Sequence, residues 1–290
     1  MTRTTCTRIA ATIPLLILGL ACQATQDEQQ AHVERMAKEH ATDRPISNPA
    51  SEAEPTAPVD VEDVQYATVD GRPVTGYLAR PADAAGPLPA LIVIHEWWGL
   101  NDNIRAMTRR LAGEGYAALA VDLYGGQAAE TPDAARSLMS ATNERPEAAE
   151  ENLRQAYDYL TVELDAPAVG SIGWCFGGGW SLRTALLLPR QLDGAVIYYG
   201  HLVTDRERLQ TLEMPILGLF GGEDQGIPID SVRTFEETLH ELGKDATIIV
   251  YPGAGHAFAN PSGQNYQPET AEKAWQETVD FLKETLTSAG

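Results

Sequence analysis

Positively charged residues are scarce in this 290-residue chain. It has 21 Lys and Arg against 41 Asp and Glu, which gives a formal net charge of −20 and a pI near 4.6. Such a balance repels phosphate backbones, so a nucleic-acid-binding function is disfavoured. The charge does not indicate which small molecule is bound, and a strongly acidic surface also serves solubility alone.

The chain has no apolar run near its start that is long enough to span a bilayer comfortably. Two arginines precede the run Ile9 to Ala21, which has the length of the h-region of a secretory signal. The run ends in Leu-Gly-Leu-Ala-Cys22, which resembles a bacterial lipobox, although Gly19 stands where Leu is usual. Residues 1–22 are therefore predicted to be a lipoprotein-type signal peptide with Cys22 as the lipidation site. Cleavage before this cysteine without lipidation is the alternative.

Cysteine is rare, with three residues at positions 6, 22 and 175. Cys6 would leave with the signal and Cys22 would be acylated, so Cys175 would be the single thiol of the mature domain. No internal disulfide could then form, although the predicted location is exported, either periplasmic or anchored to the outer membrane. A lone thiol is open to oxidation there, which favours a chemical role for Cys175.

Apolar residues are sparse between positions 23 and 60, where Glu, Ala, Thr and Pro dominate. This composition predicts a disordered tether, with one transient helix around His32 to His40. Residues 61–290 are predicted to form a single domain, because 43% hydrophobic residues supply one full-sized core.

Within the domain, apolar runs alternate with helical patterns, which predicts a mostly parallel sheet covered by helices on both faces. Gln65 to Leu78, with Asp70-Gly71 in its middle, predicts an antiparallel hairpin at the sheet edge. The predicted strands are 88–95, 116–121, 168–173, 195–199, 215–220 and 247–251. The predicted helices are 104–112, 146–163, 178–188, 230–242 and 271–286.

The central motif is Gly173-Trp-Cys175-Phe-Gly177, which follows a predicted buried strand and precedes a helix. A nucleophile on a strand-to-helix turn has a strained backbone, so the residues two before and two after it must lack side chains. The turn also aims the thiol at the positive end of the helix dipole, which favours thiolate. The alternative is a glycine-rich packing turn with an inert cysteine.

A hydrolase of this design needs an acid and then a histidine further along the chain. Glu223 and Asp224 both follow the predicted strand 215–220, and the spacing does not choose between them. His256 lies in a glycine-rich loop before the last helix, where a general base can approach the nucleophile.

These motifs together resemble the dienelactone hydrolase family of the α/β-hydrolase superfamily, over residues 64–286. The segments that carry the resemblance are Val93-Ile-His-Glu-Trp-Trp-Gly-Leu-Asn101, Val121-Asp-Leu-Tyr124, the turn around Cys175, Gly221-Gly-Glu-Asp224 and Gly253-Ala-Gly-His-Ala-Phe-Ala259. The resemblance implies the α/β-hydrolase fold and a triad of Cys175, Asp224 and His256, which favours Asp224 as the acid.

The resemblance also implies roles for residues around the thiol. Glu96 would contact the resting thiol and take part in activating it, and Tyr124 would line the pocket. Trp98 clusters with Trp97 and Trp174 around the predicted site and is a candidate for its wall, with a place in the core as the alternative. The backbone N–H groups of Phe176 and Trp97 would form the oxyanion hole.

One position departs from the family pattern. Dienelactone hydrolases have an arginine four residues beyond the catalytic histidine that helps to hold the substrate carboxylate, and here Asn260 stands there. Asn donates a hydrogen bond without charge, so the carboxylate clamp would be weaker. Arg136 or Arg145 are candidates to replace it.

The predicted function is hydrolysis of a small-molecule ester or lactone through a Cys-His-Asp triad and a thioester intermediate, without a cofactor. His95 beside Glu96 lacks the H-E-x-x-H spacing and a third ligand, so no metal site is predicted. The alternative function is a membrane-tethered, non-catalytic binding protein that kept the fold. The sequence predicts no oligomeric state and no membrane contact beyond the lipid anchor.

Overall fold

The computed structural model describes residues 30–45 and 54–287. The predicted signal peptide and Cys22 lie outside the described residues. Within the described part, no helix combines the length and the apolar character needed to cross a bilayer.

One eight-stranded sheet forms the centre of the domain. Its spatial order is β1-β2-β4-β3-β5-β6-β7-β8. The pairs β1–β2 and β2–β4 are antiparallel, and every following pair of neighbours in this order is parallel. The strands are β1 Val59–Val69, β2 Arg72–Pro81, β3 Ala90–Ile94, β4 Ala117–Val121, β5 Val169–Trp174, β6 Gly194–Tyr198, β7 Ile216–Gly221 and β8 Ala246–Tyr251.

Helices connect the strands. They are α1 (residues 30–39), α2 Asp102–Gly113, α3 Pro132–Glu144, α4 Pro146–Asp158, α5 Phe176–Leu187, α6 Arg206–Leu209, α7 Ile229–Glu241 and α8 Pro268–Thr287. A π-helical turn, Tyr159–Glu163, continues α4. The edge hairpin, the parallel sheet and the long helices agree with the sequence-based predictions, whereas α3 and α6 were not predicted.

The helices cover both faces of the sheet. Successive residues of a strand point to opposite faces. On β5, Gly170 faces Leu286 of α8, and the next residue, Ser171, hydrogen-bonds Ser181 of α5 at 2.9 Å. Strands β3 to β7 are buried along their whole length, as expected for parallel strands between two helical layers.

Residues 30–45 are ordered where a tether was predicted, and the helix expected around His32 to His40 is present as α1. These residues form α1 and a following turn that pack onto the domain, with Val33 and Met36 at 2% and 0% exposure. One face of this segment is buried, and its residues recur at helical spacing: His32, Val33, Met36 and His40. The mean composition of the segment is polar and conceals this pattern. The folded domain also begins slightly earlier than predicted, because β1 starts at Val59.

Candidate active site

Cys175 lies between the end of β5 and the start of α5, at the carboxyl edge of the parallel sheet. Its φ of 55° and ψ of −116° place a side chain on a backbone that L-residues rarely adopt. A Cβ at Gly173 would collide with the carbonyl oxygen of Gly177, and a Cβ at Gly177 with that of Ile94. The two glycines therefore let β3, β5 and α5 approach closely enough to form this turn.

His256 and Asp224 form a buried pair next to the thiol. His256 Nδ1 lies 2.8 Å from Asp224 Oδ2, and both side chains are fully buried. Asp224 Oδ1 accepts hydrogen bonds from the backbone N–H groups of Gly226 (2.7 Å) and Ile227 (2.8 Å), which hold the carboxylate in place. Glu223, the other acid that the sequence offered, is exposed and makes no such pair among the described residues.

The Asp224 carboxylate orients the His256 ring and leaves Nε2 free. His256 Nε2 is buried and has no hydrogen-bond partner among the described residues. It lies within 4.8 Å of Cys175 Sγ. Burial lowers the pKa of His256, but the charges of Asp224 and Cys175 outweigh it and hold the pKa well above its usual value.

The thiol itself is poised for ionisation. Cys175 is 2% exposed, and burial alone would raise its pKa. The positive charge of His256, followed by the hydrogen bond and charge of His40, reverses this effect and lowers the pKa to about 6. A thiolate–imidazolium pair is therefore the favoured state near neutral pH.

Glu96 lies just after β3 and is buried near the same thiol. Burial and the negative charge of Cys175 raise the pKa of its carboxyl to about 8. Its Oε2 accepts a hydrogen bond from Asn260 Nδ2 at 2.6 Å. Asn260 Oδ1 in turn accepts from Ser262 N (2.8 Å) and Ser262 Oγ (2.7 Å), so both ends of the Asn260 amide are engaged.

Aromatic side chains enclose the site. Trp97 and Trp98 are buried, with ring centroids 4.9 Å apart. Tyr124 packs against Phe176 at 5.3 Å, and its buried hydroxyl has no hydrogen-bond partner among the described residues. His95 is structural, since its Nδ1 lies 2.6 Å from the carbonyl of Glu96 and its Nε2 accepts from the N–H of Leu123.

The site contains residues that sequence reasoning missed. His40, at the end of α1, places Nε2 3.9 Å from Cys175 Sγ, and its Nδ1 lies 2.8 Å from Asp43 Oδ2. Met36 Sδ lies 3.9 Å from the same sulfur, so α1 covers the thiol. The available signal was the helical spacing of Met36 and His40 in an otherwise polar segment.

Tyr199 is a second residue that was missed. It follows β6 with a φ of 36°, its ring lies 5.3 Å from that of His256, and its buried hydroxyl has no partner among the described residues. Like Cys175, it is a non-glycine residue with positive φ at the carboxyl edge of the sheet. The sequence signal was its position directly after a buried strand.

Two predicted candidates do not reach the site. Arg145 pairs with Asp70 at 2.5 Å on the surface, with two thirds of its side chain exposed. Arg136 lies on an exposed face of α3. Neither one lies where it could replace the positive charge that Asn260 lacks.

Known proteins resemble this chain in sequence over most of its length. The profile of the Dienelactone hydrolase family matches residues 74–286. A candidate carboxymethylenebutenolidase of Saccharolobus solfataricus is 35% identical over 252 residues, covering 74% of this chain and 95% of its own. One of Escherichia coli strain K12 is 34% identical over 230 residues, covering 74% and 83%.

Solved structures agree in fold. The crystal structure of a candidate dienelactone hydrolase from Klebsiella pneumoniae superimposes with a TM-score of 0.71 at 30% identity, covering 78% of this chain and 99% of that one. Brefeldin A esterase, at 16% identity and a TM-score of 0.66, shares the fold.

Proposed function

This chain belongs to the dienelactone hydrolase family and is a hydrolase of the ester or lactone type, and we propose that it works through a triad of Cys175, His256 and Asp224 with a thioester intermediate. The observation that carries the proposal is a buried thiol with a pKa of about 6 beside a histidine whose Nδ1 is held by a carboxylate at 2.8 Å. The names of the relatives fit this class, since carboxymethylenebutenolidase denotes hydrolysis of a lactone.

The first half of the reaction forms the thioester. The Cys175 thiolate attacks the carbonyl carbon, and the carbonyl oxygen becomes an oxyanion. When the tetrahedral intermediate collapses, the carbon–oxygen bond of the ester breaks and the His256 imidazolium gives its proton to the leaving alkoxide. Asp224 keeps Nε2 directed at the reacting atoms and stabilises the imidazolium.

The second half releases the acid. His256, now neutral, takes a proton from water, and the hydroxide attacks the thioester carbon. The carbon–sulfur bond breaks and Cys175 returns as thiolate. No redox step or group carrier enters this sequence of bonds.

The oxyanion is assigned to two backbone N–H groups. Phe176 is the first residue of α5, where N–H groups have no partner within the helix. Trp97 lies in the loop after β3, next to the same edge of the sheet. Donors of this kind stabilise the transition state because they are already oriented when the charge develops.

Glu96 is proposed to adjust the charge on the thiol. With its pKa near 8, it is largely a neutral acid at pH 7, and a neutral carboxyl beside a thiolate avoids repulsion between two buried anions. Asn260 holds its Oε2 at 2.6 Å. A substrate that draws Glu96 away or ionises it would change the reactivity of Cys175.

The substrate is proposed to be a neutral ester or lactone. Asn260 is engaged by Glu96 and Ser262, and Arg136 and Arg145 lie on the surface. No charge-assisted clamp for a carboxylate is therefore built from these residues. Tyr124 and Trp98 supply an aromatic wall suited to an uncharged group.

The decisive experiment replaces the nucleophile. Cys175→Ala should lower hydrolysis of activated esters and lactones by roughly three orders of magnitude or more. Its melting temperature, measured in parallel, should show that it folds, and Ser181→Ala, on the same helix but away from the thiol, should retain activity. Unchanged hydrolysis in Cys175→Ala would exclude this mechanism and favour the non-catalytic binding protein.

A paired substrate series tests specificity. Lactones and simple esters that differ only in a free carboxylate should be hydrolysed with a preference for the neutral member. The variant Asn260→Arg should shift that preference toward the carboxylate. Preference of the unaltered protein for the carboxylate would contradict the role given to Asn260.

Export and lipidation at Cys22 remain part of the proposal. They are supported by the lipobox-like end of residues 1–22. Metabolic labelling with a fatty acid should label the wild type and leave Cys22→Ala unlabelled. Label retained in that variant would refute lipidation at this residue.

A further inference from the structure

We propose that His40, Cys175 and His256 form a Zn²⁺ site in which the N-terminal helix is locked over the thiol and hydrolysis is inhibited. Their ligand atoms, His40 Nε2, Cys175 Sγ and His256 Nε2, all lie within 4.8 Å of one another and are buried. The His95–Glu96 pair, for which the sequence predicts no metal site, is not involved.

Both histidines have the arrangement that zinc ligands have in proteins. His256 Nδ1 lies 2.8 Å from Asp224 Oδ2, and His40 Nδ1 lies 2.8 Å from Asp43 Oδ2. Donation of Nδ1–H to a carboxylate fixes the tautomer in which Nε2 carries the lone pair and makes it a better ligand. Two histidines from opposite ends of the chain thus face one sulfur, each with Nδ1 held by a carboxylate.

The site also has a buried polar atom that is unpaired within the described residues, the nitrogen that serves as the base of the proposed triad. His256 Nε2 has no hydrogen-bond partner among the described residues, although it is fully buried. Buried polar atoms are nearly always paired, so an unpaired one marks a place for a ligand. It is directed into the same space as His40 Nε2 and Cys175 Sγ.

The donor set and its dimensions fit zinc. Two imidazole nitrogens and a thiolate match a three-ligand zinc site with one open position. Bonds of about 2.0–2.1 Å to nitrogen and about 2.3 Å to sulfur separate tetrahedral ligand atoms by roughly 3.3–3.6 Å. His40 Nε2 and Cys175 Sγ are 3.9 Å apart and all ligand atoms lie within 4.8 Å of one another, so that edge must contract by roughly 0.3–0.6 Å and no edge by more than about 1.5 Å.

Inhibition follows from the identity of the ligands and rests on the proposed function. Zinc would bind the sulfur lone pair of Cys175 and the Nε2 lone pair of His256, which are the nucleophile and the base. In the thiolate–imidazolium pair the proton is on His256 Nε2, so zinc binding displaces that proton, and any proton on His40 Nε2, into solvent. Because His40 belongs to the segment 30–45, the metal would also join that segment to the domain.

Cobalt spectroscopy tests the site without any turnover. The metal-free full chain, purified without a histidine tag, is titrated with Co²⁺, and Zn²⁺ is then added in competition. A thiolate-to-cobalt charge-transfer band with tetrahedral d–d absorption is expected in the wild type. It is also expected in His32→Ala, a variant of a buried histidine on the same helix. The band should be absent in Cys175→Ser.

The N-terminal ligand is tested by two further variants. Asp43→Asn should lower metal affinity by about 10–100-fold, the effect of losing a carboxylate behind a ligating histidine. His40→Ala should lower it further, and melting curves of the metal-free proteins would show that both fold. A wild type without the charge-transfer band, or His40→Ala and Asp43→Asn that titrate like the wild type, would overturn the proposal.

Activity gives a separate readout. Stoichiometric Zn²⁺ should inhibit ester hydrolysis by the wild type, with recovery on chelation, and should inhibit His40→Ala much less. If the proposed hydrolysis fails, the cobalt result still decides the metal site. If the cobalt result fails, the hydrolysis is unaffected, so the two failures are distinguishable.

Discussion

Access to the thiol should depend on how firmly α1 is docked. Met36 is fully buried, with its sulfur 3.9 Å from Cys175 Sγ, and its terminal methyl lies so close to Gly226 that no side chain would fit there. Because Cys175 is 2% exposed and in contact with Met36, we expect reagents and substrates to reach it when this helix moves aside. Met36→Ala should therefore increase the fraction of molecules in which the thiol is exposed.

The size of the expected effect on helix opening follows from the burial of the Met36 side chain. Fully burying a methionine side chain stabilises the docked helix by about 1.5–3 kcal/mol. Losing about 1.5–3 kcal/mol corresponds to a roughly 10–150-fold larger opening constant, at 1.4 kcal/mol per factor of ten. Since α1 makes few backbone hydrogen bonds to the domain, opening should be local and should leave the sheet intact.

Alkylation of Cys175 measures this opening. Its modification rate by iodoacetamide, followed on the Cys175 peptide by mass spectrometry, should rise by the factor given above in Met36→Ala. Lys38→Ala, an exposed residue of the same helix, is the matched control and should react like the wild type. Equal rates in Met36→Ala and the wild type would show that α1 does not control access, and the reasoning would fail.

Three further predictions concern the chemistry of the site. Gly177→Ala should abolish activity and lower stability, because the added Cβ collides with the Ile94 carbonyl oxygen; normal melting and turnover would contradict the account of the turn. Asp224→Asn should lower kcat by about 10⁴-fold with little change in KM, measured by steady-state kinetics, since it disturbs the tautomer of His256; a loss confined to KM would argue against that role. Alkylation of Cys175 should fall as pH drops through about 6, where the thiolate is protonated, and stay high above it; a midpoint near 9 would contradict the thiolate–imidazolium pair.

Local patterns were enough to predict the sheet and the turn at Cys175. A continuous apolar run such as Ala90–Ile94 suits a strand buried on both faces. The turn depends on Gly173 and Gly177, which lie within two residues of Cys175. The helix Pro132–Glu144 was missed, although Thr131 caps it and proline stands at its first turn, because its apolar face is small.

The spacing of residues in the sequence was not enough to identify the acid of the proposed triad. Glu223 and Asp224 are neighbours after the same strand, and the family resemblance alone favoured Asp224. In the folded protein Glu223 is exposed, whereas Asp224 is buried against His256 and two backbone N–H groups. A choice between adjacent residues depends on which way each side chain points, and that is decided by the loop as a whole.

The fold class and the family were determined by the sequence itself, because apolar periodicity, glycine sterics and ordered motifs are local and survive without knowledge of contacts. Tertiary structure alone decided the contacts between distant segments. His40 meets Cys175 across 135 positions, and Asn260 meets Glu96 across 164. Helical spacing can mark a residue such as His40 as buried, but it does not show which distant residue it meets, since each polar group is paired only once folding has brought its partner near. The covering of the thiol by α1 is for this reason a property of the folded molecule.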